Sequence, residues 1–271
     1  MLRLIIMGSL ILCAQLMITK RSCAQGKIQQ SSYGMGVFGA ASGKSCKSFN
    51  PAFLGYLKEN QVLLAFQRGF IREQSTAAAK FSLKTGKAAL AGGISCYGFS
   101  LYSENNLQLA YGSQLFPGFY LGTELHFTYL HSSADYLKQY QGWFSLGFAY
   151  QFNDDITIGT VLIHPAKPFL NTSSTTQSAF YSGLAWQIAN HLILALETEK
   201  REHENFRYHL GADLSMLDSF HIRGGVSSSP FTHSFGFAYD QRKISFEIGF
   251  ERHIILGYQS KISVLYKIRK K

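Results

Sequence analysis

Four residues of the segment KISFEIGFER, Lys243 to Arg252, set a strict alternation. Ile244, Phe246, Ile248 and Phe250 make one series; Lys243, Ser245, Glu247, Gly249 and Glu251 make the other. A β-strand sends alternate side chains to opposite faces, so this stretch has one greasy face and one that carries charge. The same period of two recurs along the chain. Phe119 to His131 sets Phe119, Leu121, Leu125 and Phe127 against Tyr120, Gly122, Glu124 and His126. Leu192, Leu194 and Leu196 oppose Glu197, Glu199 and Arg201. Tyr208, Leu210, Ala212 and Leu214 oppose Arg207, His209, Gly211 and Asp213. Phe235, Phe237 and Tyr239, then Ile262, Val264, Tyr266 and Ile268, continue the pattern.

The breaks between these segments are also ordered. Tight turns are expected at 84–87, 116–118, 153–155, 189–191, 217–219 and 240–243, where Gly, Pro, Asn, Asp or short polar runs supply hairpin chemistry. Mostly longer connections are expected at 103–106, 132–141, 164–177, 202–205, 228–232 and 253–257. Tight turns thus alternate with looser connections, as in an antiparallel meander of about fourteen strands. No helical period long enough for a crossover separates them, which excludes a parallel sheet.

Composition agrees. Phe numbers 22, Tyr 15 and Gly 25, while Pro is down to 5 and charged residues make up 15%. Aromatics suit strands, and Pro would break their ladders. Disordered chains show the reverse balance. The formal net charge is +10, of which Arg3, Lys20 and Arg21 contribute three. The basic residues are dispersed rather than clustered, so nucleic acid is not an expected partner.

Two architectures accommodate an even meander: a water-soluble sandwich or ligand barrel with the greasy face inside, or a membrane barrel with it outside. Soluble strands run to about five or six residues, and these are longer. The opposite faces carry Gly, Glu, Arg, His and Ser, as a packed lumen does. A closed barrel also satisfies every backbone group in lipid. The expected fold is therefore all-β: a closed antiparallel up-and-down transmembrane β-barrel over residues 61–271. Its interior is expected to hold a polar network of Glu197, Glu199, Arg201, Arg207, His209, Asp213, Lys243, Glu247 and Glu251. These charges either fill the lumen in pairs or line a selective pore.

The N-terminus reads as a secretory signal over residues 1–24. Arg3 precedes an apolar run from Leu4 to Ile18, and Ser22 and Ala24 offer a small-residue cleavage site. A retained membrane anchor is the competing reading, since Lys20 and Arg21 lie close to the cut. Once the signal is removed, Cys46 and Cys96 remain, as one bridge or two unpaired thiols; neither a disulfide framework nor a metal set is expected.

Residues 25–60 do not alternate. YGMGVFGAASGKSCKSFNPAFLGYL, Tyr33 to Leu57, is Gly- and Ala-rich and reaches Asn50-Pro51-Ala52. Pro51 is expected to open a short helix at the periplasmic mouth of the barrel, or else to cap the first strand. This stretch resembles the N-terminal signature of the FadL superfamily of outer-membrane barrels, and especially its PorV/PorQ branch in Bacteroidota. The matching residues are Gly34, Gly36, Ala40, Ala41, Asn50, Pro51, Ala52 and Leu54. The closing strands are similar as well, through Leu210, Gly211, Ala212, Ile222, Arg223, Gly225, Phe235, Gly236, Phe237, Leu256, Gly257, Ser260, Ser263 and Tyr266.

The resemblance implies a fourteen-stranded barrel in the bacterial outer membrane whose N-terminal segment folds into the lumen as a plug, with Asn50, Pro51 and Ala52 as its motif. It implies a non-enzymatic protein without cofactor. In one reading it binds protein partners in type IX secretion or cell-surface attachment, as PorV and PorQ do. In the other it is a FadL-like channel for hydrophobic or small solutes. Short loops and the terminal KIRKK depart from larger members of the superfamily. An outer-membrane esterase would need a serine beside a histidine and a carboxylate. His126, His131 and His209 are available, but no nucleophile motif singles out a serine.

Overall fold

Fourteen strands close on themselves in a computed structural model that describes residues 34–42, 49–133, 137–165, 177–217 and 219–268. Residues 1–24, expected to be a secretory signal, and Cys46 lie outside the described residues. The strands are β1 (Asn60–Gln67), β2 (Thr76–Thr85), β3 (Ala88–Phe99), β4 (Tyr102–Phe116) and β5 (Phe119–Ser132). There follow β6 (Leu137–Gln151), β7 (Ile156–Ile163), β8 (Ala179–Ala189), β9 (Leu192–Arg201) and β10 (Arg207–Leu217). The last four are β11 (Phe220–Ser227), β12 (Thr232–Asp240), β13 (Ile244–His253) and β14 (Gly257–Ile268). Each pairs antiparallel with its chain neighbours, and β1 pairs with β14 from Asn60↔Ile268 to Gln67↔Lys261. No edge is left unpaired, so every strand has partners for its backbone groups on both sides.

One rim has short turns throughout, and on the other the β3–β4 connection, Ser100 and Leu101, is as short. Pro117 and Gly118 join β4 to β5, with Gly118 at φ +81°, the proline-then-glycine order of a type II turn. The chain enters β1 and leaves β14 at this same rim. The other rim carries the connection between β7 and β8 and the remaining loops.

Alternation decides which way side chains point. On β13, Ser245, Glu247 and Gly249 face inward and are buried, while Phe246 and Ile248 face outward. Leu64, Leu107, Leu125, Leu196, Leu210, Phe235 and Ile262 are exposed on the outer wall. An apolar belt of this extent is not tolerated in water and matches a wall that stands in lipid. Among the described strand positions, carboxylates occur on the inner face only.

Two boundaries differ from the sequence expectation. Residues 103–106 belong to β4, and β6 begins at Leu137 rather than after Gln141. β4 and β6 reach 15 residues each. Beyond the lipid-facing belt a strand need not be greasy outside, so the polar run SENN continues the ladder while its hydropathy reads as loop.

Candidate functional site

The lumen is crossed by the N-terminal segment, and the wall is built to receive it. Gly34 lies against β12, where Ser234 donates to its carbonyl at 3.0 Å. The Gly36 carbonyl meets His209 Nδ1 at 3.1 Å. The amides of Gly39 and Ala40 both donate to Glu197 Oε2, at 3.0 and 3.2 Å. Asn50 then ties the segment to the opposite wall: its carboxamide donates to Ala40 O at 2.8 Å and to Phe148 O at 3.0 Å. Asn50 Oδ1 accepts from Ala52 N at 3.0 Å, which caps a 3-10 helix over Pro51–Tyr56. Pro51 at the first position opens this helix. The helix packs on β4 and β5, inside the barrel towards the tight-turn rim.

Close approach is possible because the wall has glycine at several points where plug backbone touches it, and at Ser113 the plug supplies the glycine, Gly55. A Cβ on Gly159 would lie 1.8 Å from Ala40 O, and one on Gly225 1.8 Å from Met35 O. At Gly147 it would meet Asn50 Oδ1 at 2.1 Å, and at Gly122 the Pro51 carbonyl carbon at 2.3 Å. Several of these glycines are cross-strand partners: Gly112 with Gly122, Gly122 with Gly147, and Gly211 with Gly225. They form a seat that no larger residue leaves intact.

Around the plug the inner face carries three buried ionic clusters. Arg223 is fully enclosed; it donates to Asp213 Oδ2 at 2.8 Å and to Glu247 Oε1 at 3.1 Å. Ser263 adds a bond to Glu247, and His221 contacts Asp213 at 2.9 Å. Glu199 gathers Tyr181 Oη at 3.0 Å, His209 Nε2 at 3.1 Å and the Arg201 guanidinium. Glu124 meets Lys80 at 3.1 Å and His126 at 3.5 Å, and the His126 ring stacks on Trp143 with centroids 3.6 Å apart. Buried charges need such partners, because removal from water costs several kcal/mol per ion.

One side of the lumen is apolar instead. Trp143, Val161, Ile163 and Tyr181 pack with Ala40, Phe38 and Phe49 of the plug segment. Phe38 lies 4.9 Å from the Tyr181 ring and 5.0 Å edge-on from His209.

The nine polar residues expected inside are therefore divided. Glu199, Arg201 and His209 form one cluster; Asp213 and Glu247 belong to another; Glu197 holds the plug. Glu251 pairs with Lys261 at 2.7 Å. Arg207 stands at the loop end of β10 and pairs with Glu204 at 3.4 Å. Lys243 is exposed in the turn before β13, outside the network. The sequence reading missed Arg223 as a lumen hub, although the β10–β11 pairing sets it opposite Asp213. It also missed Lys80, His221 and Lys261.

Ser215, His221 and Asp213 come together, but not as a catalytic triad. His221 Nδ1 contacts both Ser215 Oγ at 3.0 Å and Asp213 Oδ1 at 2.9 Å. A relay needs the hydroxyl on one ring nitrogen and the carboxylate on the other.

No family model and no curated protein sequence matches the chain. Solved structures do. The toluene transporter TodX of Pseudomonas putida superposes with a TM-score of 0.64 at 9% identity, over 82% of this chain and 93% of that one. A Pseudomonas aeruginosa FadL homologue gives 0.59 at 10%, over 81% and 93%. The fold is that of these barrels. A deletion mutant of TodX, described as a monoaromatic hydrocarbon channel, gives 0.64 at 10%, over 91% and 100%. At such identities the likeness is one of fold, and it does not single out the PorV/PorQ branch.

Proposed function

We propose that this chain is an outer-membrane channel for hydrophobic small molecules, closed in this state by its own N-terminal segment. The observation that carries the reading is the aromatic-lined apolar patch of the lumen wall, which lies beside the buried ionic clusters. Val161, Ile163, Trp143 and Tyr181 meet Phe38 and Phe49 there. A lumen filled only to brace a wall needs paired charges; a route for hydrophobic solute needs a surface of this kind. The shared fold with a toluene transporter and a FadL homologue adds support. The tight turns would face the periplasm and the longer loops the exterior.

The test is uptake. Proteoliposomes holding the full chain should take up a labelled monoaromatic hydrocarbon faster than protein-free vesicles, and a lysine in place of Ile163 should abolish the gain. Equal uptake with and without protein would defeat the reading.

The partner-binding reading, a role in type IX secretion or surface attachment, rests on the order of the sequence motifs. Affinity purification from outer membranes separates the two: recovery of secretion components favours partner binding, and a solitary barrel with solute uptake favours the channel.

A further inference from the structure

The outer wall is not uniform around the barrel. β13 has 10 residues and β6 has 15. With about 3.4 Å per residue and a tilt of about 40°, β13 rises about 26 Å and β6 about 39 Å, against an apolar band of about 25 Å. The β13 side therefore ends at the level of lipid headgroups, while β6 stands well above it.

On that low side two features coincide. Arg252 continues the outward series Phe246, Ile248, Phe250, and Arg68 continues the outward series Leu64, Phe66. The two strands flank β14, where Arg252 is the cross-strand partner of Tyr258 and the Arg68 amide donates to Ser260 O at 3.0 Å. Both arginines are exposed, and neither has an ion-pair partner among the described residues. His233 joins them from β12, bonded to the Tyr258 hydroxyl at 2.7 Å. Beside these cations the loop tips are bare and apolar: Ile254, Ile255 and Leu256 between β13 and β14, with Ile255 85% exposed, and Phe231 between β11 and β12 at 69%. Phe235 and Phe250 stack just below, facing lipid.

Exposed apolar tips, an aromatic belt and unpaired cations at one height are the chemistry of a membrane interface that meets anionic headgroups. No carboxylate lies on the outer face of the described strands; Glu73, in the connection from β1 to β2, is exposed on the same rim. We infer that the low rim formed by Arg68, Arg252, His233 and Tyr258 binds a phosphorylated lipid of the outer leaflet. Its phosphate lies between the arginines, and its acyl chains lie on Phe235, Phe250 and Ile262. The apolar tips 254–256 sink among neighbouring headgroups. This rests on the outer-membrane placement and loop-side orientation proposed above, but not on transport.

The experiment uses the full chain, purified in an uncharged detergent and titrated with bisphosphorylated lipid A by native mass spectrometry. Wild type should hold lipid A in preference to phosphatidylcholine. The double variant Arg68→Gln, Arg252→Gln should weaken it about thirtyfold, at about one power of five per cation. Lys138→Gln, on tall β6, should bind as wild type does, and Arg252→Lys should keep most of the affinity. Heat-modified gel mobility confirms that each variant is a folded barrel. Equal retention by the double variant, or indifference to the lipid phosphates, overturns the inference. A photo-crosslinking residue at Ile255 in cells gives an independent result. A lipid adduct supports it, and a protein adduct shows a docking rim for a partner instead. Hydrocarbon uptake is measured on the same variants: unchanged uptake with lost lipid A binding separates this site from the channel.

Discussion

Replacing Gly159 with valine should unseat the plug without touching the outer wall. A Cβ there would lie 1.8 Å from Ala40 O, whereas ordinary contact begins near 3.4 Å. The Ala40 backbone must retreat by the difference, 3.4 − 1.8 = 1.6 Å. Ala40 N already donates to Glu197 Oε2 at 3.2 Å and Gly39 N at 3.0 Å, so that shift breaks both bonds if the segment moves as a unit. Hydrogen bonds to a charged group are worth about 1.5–3 kcal/mol each, so the seated state loses about 3 kcal/mol at the lower end. That is a change of about 150-fold in the ratio of displaced to seated plug. Single-channel recording in planar bilayers reads it as open-state occupancy. The control is Gly224→Val: Gly224 faces outward with nothing within 4 Å of an added Cβ. Wild type and Gly224→Val should be mostly closed, and Gly159→Val open at least a hundredfold more often. If Gly159→Val conducts no more than the control, the glycine seat does not hold the lumen shut.

Arg223→Met takes the shared guanidinium away from the buried carboxylates of Asp213 and Glu247. It should cost about 3–5 kcal/mol in urea unfolding from phosphocholine vesicles, and adding Asp213→Asn and Glu247→Gln should restore most of it. A single-variant loss below 1 kcal/mol would contradict the pairing. Ile163→Lys should remove hydrocarbon uptake while leaving a folded barrel by gel mobility; undiminished uptake would place the solute route elsewhere. Cys96 is a free thiol exposed on the outer wall. A membrane-soluble maleimide should label it in vesicles, and a charged, membrane-impermeant one should react far more slowly; equal rates would mean that β3 is not in lipid.

The barrel was readable because alternation is a property of each strand by itself. Phe246 and Glu247 declare opposite faces without knowledge of any neighbour. Depth along the barrel is not local, and there the sequence is silent. Parity put Arg207 and Lys243 with the inner charges, but one stands at a strand end and the other in a turn. Arg223 sits in FHIRGGVS, eight residues with two glycines, where little alternation survives. Its importance comes from Asp213 on one neighbour, β10, and from Glu247 on β13, two strands along on its other side. The inward glycines were visible as residues, but what rests on them was not. A missing side chain gives no sign of whether a wall bends there or another backbone lies against it.

β7 shows how the lumen and the function connect. ITIGTVLI is apolar on both faces: Ile158 and Leu162 face lipid, and Val161 and Ile163 face inward. A strand with water inside would not keep this composition. Here the inner pair is covered by Phe38 and Phe49 of the plug segment. If the plug withdrew into an empty channel, Val161, Ile163 and the flank of Tyr181 would meet water. At about 25 cal/mol per Å² and some 150 Å² bared, that costs about 4 kcal/mol. A polar solute in the gap leaves the cost in place, whereas a hydrophobic one removes it by taking the position of Phe38. On the proposed reading, the patch that closes the channel is therefore also what makes opening depend on hydrophobic cargo.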